Sequence, residues 1–305
     1  SSDLYQHIRP AGLSTSSLNA RSLHYLRSLV AGVGFRSPRN FAVAKFLLDP
    51  RILILFTYKI TKFFSINKGK TWTYDSVAIA PSPIYQDSTF NLEPYGMLVG
   101  DTVYLFYMGG GGSGIYGPYD FGIWQAKCAY SDLGNNAPFI RQASPIISNS
   151  NFDALMGLGY ATGYLALSSI VKSGSTYYYH GGFLTNGVDP RTRIWVGQGT
   201  TLNGITSAQQ VSLPLDSATV GVKTPTVWKE ADAYKMIYSK GDPYYNGGYL
   251  MSANSSDLIT WTENDGVFAF PATDTTLWDA KQIYSGQLIK KQSLNYDQPL
   301  LVYAD

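Results

Sequence analysis

The sequence predicts an all-β chain, a five-bladed β-propeller with a short N-terminal arm, and three observations carry that reading. First, a short apolar run ending in an aromatic cluster recurs five times: Arg51-Ile-Leu-Ile-Leu-Phe-Thr-Tyr58, Tyr104-Leu-Phe-Tyr107, Tyr177-Tyr-Tyr-His180, Tyr234-Lys-Met-Ile-Tyr238 and Leu300-Leu-Val-Tyr303. The spacing averages about 60 residues, longer than the repeats of helical solenoids and within reach of a four-stranded blade. Second, Ser65-Ile-Asn-Lys-Gly-Lys-Thr-Trp72 and Ser252-Ala-Asn-Ser-Ser-Asp-Leu-Ile-Thr-Trp261 each run from small polar turn residues to Thr-Trp. Third, apolar residues make up 45% of the chain and charged ones only 14%, against roughly 25% charged in an average globular protein. Solubility then rests on Ser, Thr, Asn and Tyr, which suits stacked sheets.

The elements follow in order. Residues 1–40 hold Arg9, Arg21, Arg27, Arg36 and Arg39 against one acid, Asp3. Within them Ser17 to Val30 reads as a short helix, with Leu18, Tyr25, Leu26 and Leu29 near helical spacing and Ser17 as a cap. This basic arm is expected either to pack on the domain or to tether a protein partner. From Asn40 strands dominate, and residues 41–305 form the propeller. Blade one reads as Phe41–Leu48, Arg51–Lys59, Thr61–Ser65 and Thr71–Ala78, with turns at Asp49-Pro50 and Asn67-Lys-Gly69. Blade two spans about 84–150, blade three about 151–216 and blade four about 217–274. Blade five begins near Trp278, and Asp305 follows its second strand. Unpaired sheet edges are avoided in natural proteins, so either its outer strands come from the N-terminal segment or the ring is imperfect.

Composition excludes several classes of function. The formal net charge of +2 gives no reason to expect nucleic acid. Cys128 is alone within a strand pattern and reads as a buried, inert thiol. His7, His24 and His180 are too scattered for a zinc site, and no metal or cofactor is expected. No run approaches the roughly 18 apolar residues of a membrane span, and no secretory signal is visible. The composition is of a kind common in secreted carbohydrate-handling proteins and virion parts, so an extracellular or virion-associated location is the expectation.

Glu93-Pro-Tyr-Gly-Met-Leu-Val-Gly-Asp-Thr-Val-Tyr-Leu-Phe-Tyr-Met-Gly109 resembles the blade motif of five-bladed glycoside hydrolases, the arabinanase, invertase and levansucrase families. In those families an acid-Pro dipeptide opens the innermost strand and a Gly-Asp turn leads to an aromatic second strand. Lys223-Thr-Pro-Thr-Val-Trp228 with Tyr234–Tyr238, and Trp278-Asp-Ala280 with Leu300–Tyr303, resemble later blades. Ser65–Trp72 resembles the Asp box of sialidase propellers, with Asn67 where the aspartate usually stands. The resemblance covers about residues 41–305 and implies a propeller acting on or binding sugars.

Propeller geometry sorts the loops. Those joining second to third strands share the ligand face; Asn67-Lys-Gly69 and Ser255-Ser-Asp257 fall opposite and read as structural turns. The ligand-face loops are Gly109–Asp120, Gly181–Arg193 and Lys240–Gly248. Their candidate binding residues are Tyr116, Tyr119, Asp120, Asn186, Asp189, Arg191, Asp242, Tyr244, Tyr245 and Asn246. Flat rings cover the apolar face of a pyranose and short polar side chains reach its hydroxyls. The glycine run 109–112 is no phosphate loop, because no Lys-Ser/Thr follows it.

Glycoside hydrolysis needs a proton donor and a second carboxylate. The resembled families draw three acids from different blades. Of the three glutamates, Glu230 falls in a turn and Glu263 on an outer strand; only Glu93 opens an inner strand. Equivalent positions read as Ala166 to Ser168, Lys223 or Thr224, and about Ser285. The candidate second carboxylates are Asp279, Asp153 or Asp87, from loops entering inner strands, or Asp120, Asp189 or Asp242 on the rim. Because the acid set departs from the family pattern, the first expectation is a carbohydrate-recognition propeller, a tail component or adhesin of a virion or cell surface. The alternatives are a glycoside hydrolase or transferase using Glu93 with an aspartate, and a structural adaptor in a larger assembly.

Overall fold

The computed structural model describes residues 7–10, 45–46, 52–56, 60–64, 73–80, 90–110, 121–132, 138–158, 162–185, 192–213, 220–241, 248–266, 285–289 and 300–304. Within them the chain is predominantly β. Its strands form five antiparallel sheets among the described residues.

The first sheet runs β2 (Lys45–Phe46), β3 (Ile52–Phe56), β4 (Ile60–Phe64), β5 (Thr73–Ile79). The second runs β6 (Phe90–Val99), β7 (Thr102–Gly110), β8 (Phe121–Ala129), with β9 (Ile140–Arg141) and β10 (Ile147–Ser148) both on β8. In the third, β11 (Thr162–Leu165) and β12 (Ser169–Ser173) both pair β13 (Thr176–Thr185), followed by β14 (Arg193–Gly199) and β15 (Ser207–Gln210). The fourth runs β16 (Gly221–Glu230), β17 (Ala233–Gly241), β18 (Gly248–Ser255), β19 (Thr262–Glu263). The last runs β20 (Ser285–Ile289), β21 (Leu300–Ala304), β1 (His7–Pro10). There β1 lies antiparallel to β21, with His7 opposite Tyr303 and Pro10 opposite Leu300.

Two-residue turns close the hairpins between first and second strands. Gly100 (φ 57°) and Gly174 (φ 59°) take the left-handed conformation they need, and Ala231 (φ 49°) does the same in the fourth sheet. Glycine adopts this region without steric cost, whereas an alanine there is strained.

Strand alternation explains the packing. On β7, Val103, Leu105 and Tyr107 join Ala78 and Ile79 between the first and second sheets. The intervening Phe106 and Met108 join Leu165, Tyr179 and Trp195 between the second and third. On β14, Ile194 and Val196 turn the other way, to Val222, Met236, Tyr238 and Trp261 of the fourth sheet. Central strands buried on both faces need a continuous apolar run, and the repeated aromatic motifs supply it.

Polar clasps cross these interfaces. Ser169 Oγ donates to Val227 O (3.2 Å) and accepts from Val227 N (3.0 Å), and Gln125 Nε2 donates to Leu202 O (2.6 Å). His180 is fully buried, and its Nε2 lies 3.1 Å from Leu258 O. A carbonyl only accepts, so Nε2 carries the proton. Burial pushes this imidazole down to about 4, against weaker opposing hydrogen bonds to the Leu258 and Tyr178 backbone.

Leu258 sits at φ 69° in a turn built by Asp257, whose Oδ1 accepts from Ile259 N (2.9 Å) and Thr260 N (2.8 Å). Desolvation opposes the charge of Asp257, but the hydrogen bonds from Thr260, Ile259 and Ser255 outweigh it and hold the carboxyl below its usual value. Trp261 Nε1 closes the turn on Leu258 O at 3.2 Å. Cys128 is buried on β8, where the strand pattern places it.

Among the described residues the strands are interrupted by a 3-10 turn at Tyr130–Asp132 and by one α-helix. Asn149–Met156 is an α-helix, α1, capped by Ser148 Oγ, which accepts from Asn151 N (3.2 Å), and ended by Gly157 at φ 65°. Ser148 and Gly157 are the start and stop signals that mark it in the sequence. The helix read over Ser17–Val30 lies outside the described residues, as do the turns at Asp49-Pro50 and Asn67-Lys-Gly69. No described helix is long and apolar enough to cross a membrane.

Candidate functional site

Register fixes which ends of the sheets coincide. Phe90 at the start of β6 pairs with Gly110, the last residue before segment 111–120. Thr162 pairs with Thr185 ahead of segment 186–191, and Gly221 pairs with Gly241 ahead of segment 242–247. The starts of the first strands therefore lie at the same sheet ends as the boundaries of the three predicted binding loops.

Near those starts the first strands are broken in a common way. In β6, Leu92 pairs with Met108 and Tyr95 with Phe106, so Glu93 and Pro94 together face Tyr107. In β16, Lys223 pairs with Ser239 and Thr226 with Ile237, so Thr224 and Pro225 together face Tyr238. Both tyrosines are fully buried. Glu93 and Thr224 each hold φ 50°, a region sparsely populated by non-glycine residues and costing roughly 1–3 kcal/mol each. Proline cannot donate to the ladder, which is why the extra residue appears where it does.

The third sheet makes the same interruption differently. Its first strand is split into β11 and β12 around Ala166–Ser168, opposite Gly181 and Gly182. A Cβ on Gly181 would lie 1.8 Å from Ala166 O, so only glycine fits. Trp195 Nε1 also donates to Ala166 O at 3.0 Å.

The interrupted strands converge on one cluster. Tyr164 Oη donates to Glu93 Oε1 at 2.5 Å, while Glu93 Oε2 is buried without a hydrogen-bond partner. Around the bare Cα of Gly182, a Cβ would lie 3.4 Å from the Tyr164 ring, 3.7 Å from Lys223 Cβ and 3.8 Å from Thr224 N. Glu93, Tyr164, Gly182, Lys223 and Thr224 thus join the second, third and fourth sheets in one arc. Lys223 and Thr224 are buried, and Arg193 is buried at the start of β14.

Two other described acids are engaged elsewhere. Asp153, on α1, accepts from Thr162 N through both oxygens at 3.2 Å, and from Thr162 Oγ1. Glu263 holds the buried Lys240 ammonium at 2.9 and 3.0 Å and accepts from Tyr238 Oη. Glu230 ends β16 on an exposed hairpin. Among the described residues no group of three or more His, Cys, Asp or Glu could hold a metal ion.

Asp279 and the loop residues Tyr116, Tyr119, Asp120, Asn186, Asp189, Arg191, Asp242, Tyr244, Tyr245 and Asn246 lie outside the described residues. Sequence reading missed Tyr164, because nothing in Thr162-Gly-Tyr-Leu165 signals a bond to a residue 71 positions away.

No protein-family model and no curated protein sequence matches this chain. Solved structures do. A thermostable family-43 glycoside hydrolase superposes with a TM-score of 0.59 at 14% identity, over 83% of this chain and 84% of that one. An endo-arabinase from Bacteroides thetaiotaomicron gives 0.57 at 12% identity, over 87% and 94%. An α-L-arabinanase from Cellvibrio cellulosa gives 0.52 at 13%, over 86% and 85%. The fold is a β-propeller. The solved structures it resembles are arabinanases and a family-43 glycoside hydrolase, and at these identities the likeness speaks for fold alone.

Proposed function

We propose that this chain is a five-bladed carbohydrate-binding propeller that meets a glycan at the arc around Glu93 and at the rim loops. The observation that carries the reading is the Glu93 carboxylate. Its Oε2 is a buried acceptor without a protein partner, on a strained residue of a first strand. A buried lone pair left unmatched is costly, and sugar hydroxyls are donors of the right kind. Five sheets and the pairing of β1 with β21 support five blades closed by the N-terminal arm. The Asp257 turn supports the Asp-box likeness of the outer turns. The low charge and distinct arm composition support display on a virion or cell surface, attached to a protein partner through residues 1–40.

The fold shared with glycoside hydrolases favours a second reading, in which Glu93 works with an aspartate such as Asp279 in hydrolysis. A glycan array and a hydrolysis screen on wild type, Glu93→Gln and Tyr244→Ala separate the two. Binding without cleavage, weakened in both variants, is the expected result. Cleavage abolished by Glu93→Gln establishes the hydrolase instead, and silence in both assays leaves the adaptor role.

A further inference from the structure

The Glu93 carboxylate is held from outside its own sheet, and the hold begins on α1. Phe152 is fully buried and meets Phe183 and Trp195 edge-on, with ring centroids 5.5 and 5.4 Å away. That anchor fixes the short helix against the third sheet. Two further helix residues then grip Thr162: Asn149 Nδ2 donates to its carbonyl at 2.8 Å, and Asp153 accepts from its N–H and its hydroxyl. All three polar groups of Thr162 are therefore bonded to α1.

Immediately after Thr162 the pairing with β13 shifts register, before Tyr164 resumes it opposite Leu184. A register shift re-aims the side chains that follow it. Tyr164, with only 9% of its surface exposed, reaches Glu93 Oε1 with its hydroxyl. A carboxylate with one oxygen bonded in a fixed direction presents the other in a fixed direction too.

We infer that Tyr164, and behind it Asp153 through Thr162, are positioning residues that hold Glu93 with its Oε2 turned to ligand. The inference rests on the carbohydrate-binding reading for what Oε2 receives, and on the hydrogen-bond relay alone for how it is held. It gives Asp153 a supporting role in place of a second reacting carboxylate.

The test has two arms. In the first, carboxyls are labelled with a carbodiimide and glycinamide at mildly acidic pH, and sites are read by peptide mass spectrometry. Tyr164→Phe should speed labelling of Glu93 about fivefold, and Asp153→Asn and Thr162→Val about two- to threefold. Thr162→Ser, which keeps the hydroxyl, should label like wild type. Glu263, held by Lys240 in another sheet, serves as internal reference and should not change. Glu93 labelling unchanged in Tyr164→Phe, or rising only together with Glu263, overturns the relay.

In the second arm, arabinotriose, xylotriose and a rhamnogalacturonan fragment are titrated against Glu93→Gln, Tyr164→Phe and the double variant. The single losses should not add, because both remove one fixed acceptor; additive losses overturn the positioning role. If none of these sugars binds wild type while the labelling differences appear, the relay stands and the carbohydrate reading falls.

Discussion

Leu92-Glu93-Pro94-Tyr95 and Lys223-Thr224-Pro225-Thr226 occupy corresponding places in the second and fourth sheets, and both hold a non-glycine residue at φ 50° ahead of a proline. Each faces a fully buried tyrosine across the break. The backbone device is the same, yet one site carries a carboxylate with a buried, unpartnered oxygen and the other a hydroxyl. The third sheet interrupts its first strand with neither proline nor positive φ, relying on Gly181 and Gly182 opposite. The break therefore belongs to the fold, while the chemistry rests on which side chain the break presents.

The largest effect should come from filling the third sheet's solution. In Gly181→Ala the new methyl meets Ala166 O at 1.8 Å and Trp195 Nε1 at 2.8 Å. Neither neighbour is a flexible chain end, so a loss of about 3 kcal/mol or more is expected, measured by denaturant unfolding. A variant as stable as wild type would show that the strand break does not depend on that glycine.

His180 lies just beyond the same break, opposite Ser169, and fastens the third sheet to the fourth. Its folded-state value of about 4 lies below the 6.5 of an unperturbed imidazole. The folded state thus binds fewer protons than the unfolded state between these values. The stability it contributes is complete above pH 6.5 and is lost as pH falls toward 4, by an amount of order 3 kcal/mol. Urea titrations across this range should show the slope, and His180→Gln should flatten it. A slope that survives the substitution assigns the pH dependence to other groups.

The two prolyl breaks can be compared directly. Glu93→Ala should weaken glycan binding about tenfold or more, because it removes the acceptor and strands the Tyr164 hydroxyl. Thr224→Ala should cost only about 1 kcal/mol of binding energy, the worth of one neutral hydrogen bond. Isothermal titration with the same sugar decides the order. Equal losses would make the two sites equivalent partners and remove the special standing of the carboxylate.

Much of this was readable in the chain. The aromatic motifs fall on second strands, and in the second, third and fourth sheets they do so because a strand buried on both faces needs a continuous apolar run. Glu93-Pro94 was legible as an acid on the first strand of its sheet, and the equivalent position in the fourth sheet narrowed to Lys223 or Thr224; the structure puts the break at Thr224. What sequence could not show is long-range. Tyr164 meets Glu93 only because two sheets stack, and Asp153 reads as a free loop carboxylate until α1 turns it onto Thr162. The helix itself was signalled by Ser148 and Gly157 but masked by the surrounding strand pattern.

The smallest effect on stability, and the sharpest on the comparison, is expected one residue from the largest. Gly182→Ala adds the same methyl as Gly181→Ala, but its nearest neighbours lie at 3.4, 3.7 and 3.8 Å, ordinary contact distances. Gly182 carries no positive φ, so alanine meets no backbone strain there. Unfolding free energy should stay within about 1 kcal/mol of wild type, since glycine in a strand interior loses more entropy on folding than alanine. The methyl nevertheless stands between the Tyr164 ring and the Thr224 break, within the proposed arc. If ligand occupies that gap, binding should fall severalfold while the melting curve barely moves. If binding and stability are both unchanged, the gap at Gly182 is only a packing allowance, and the ligand contacts Glu93 without reaching the fourth sheet.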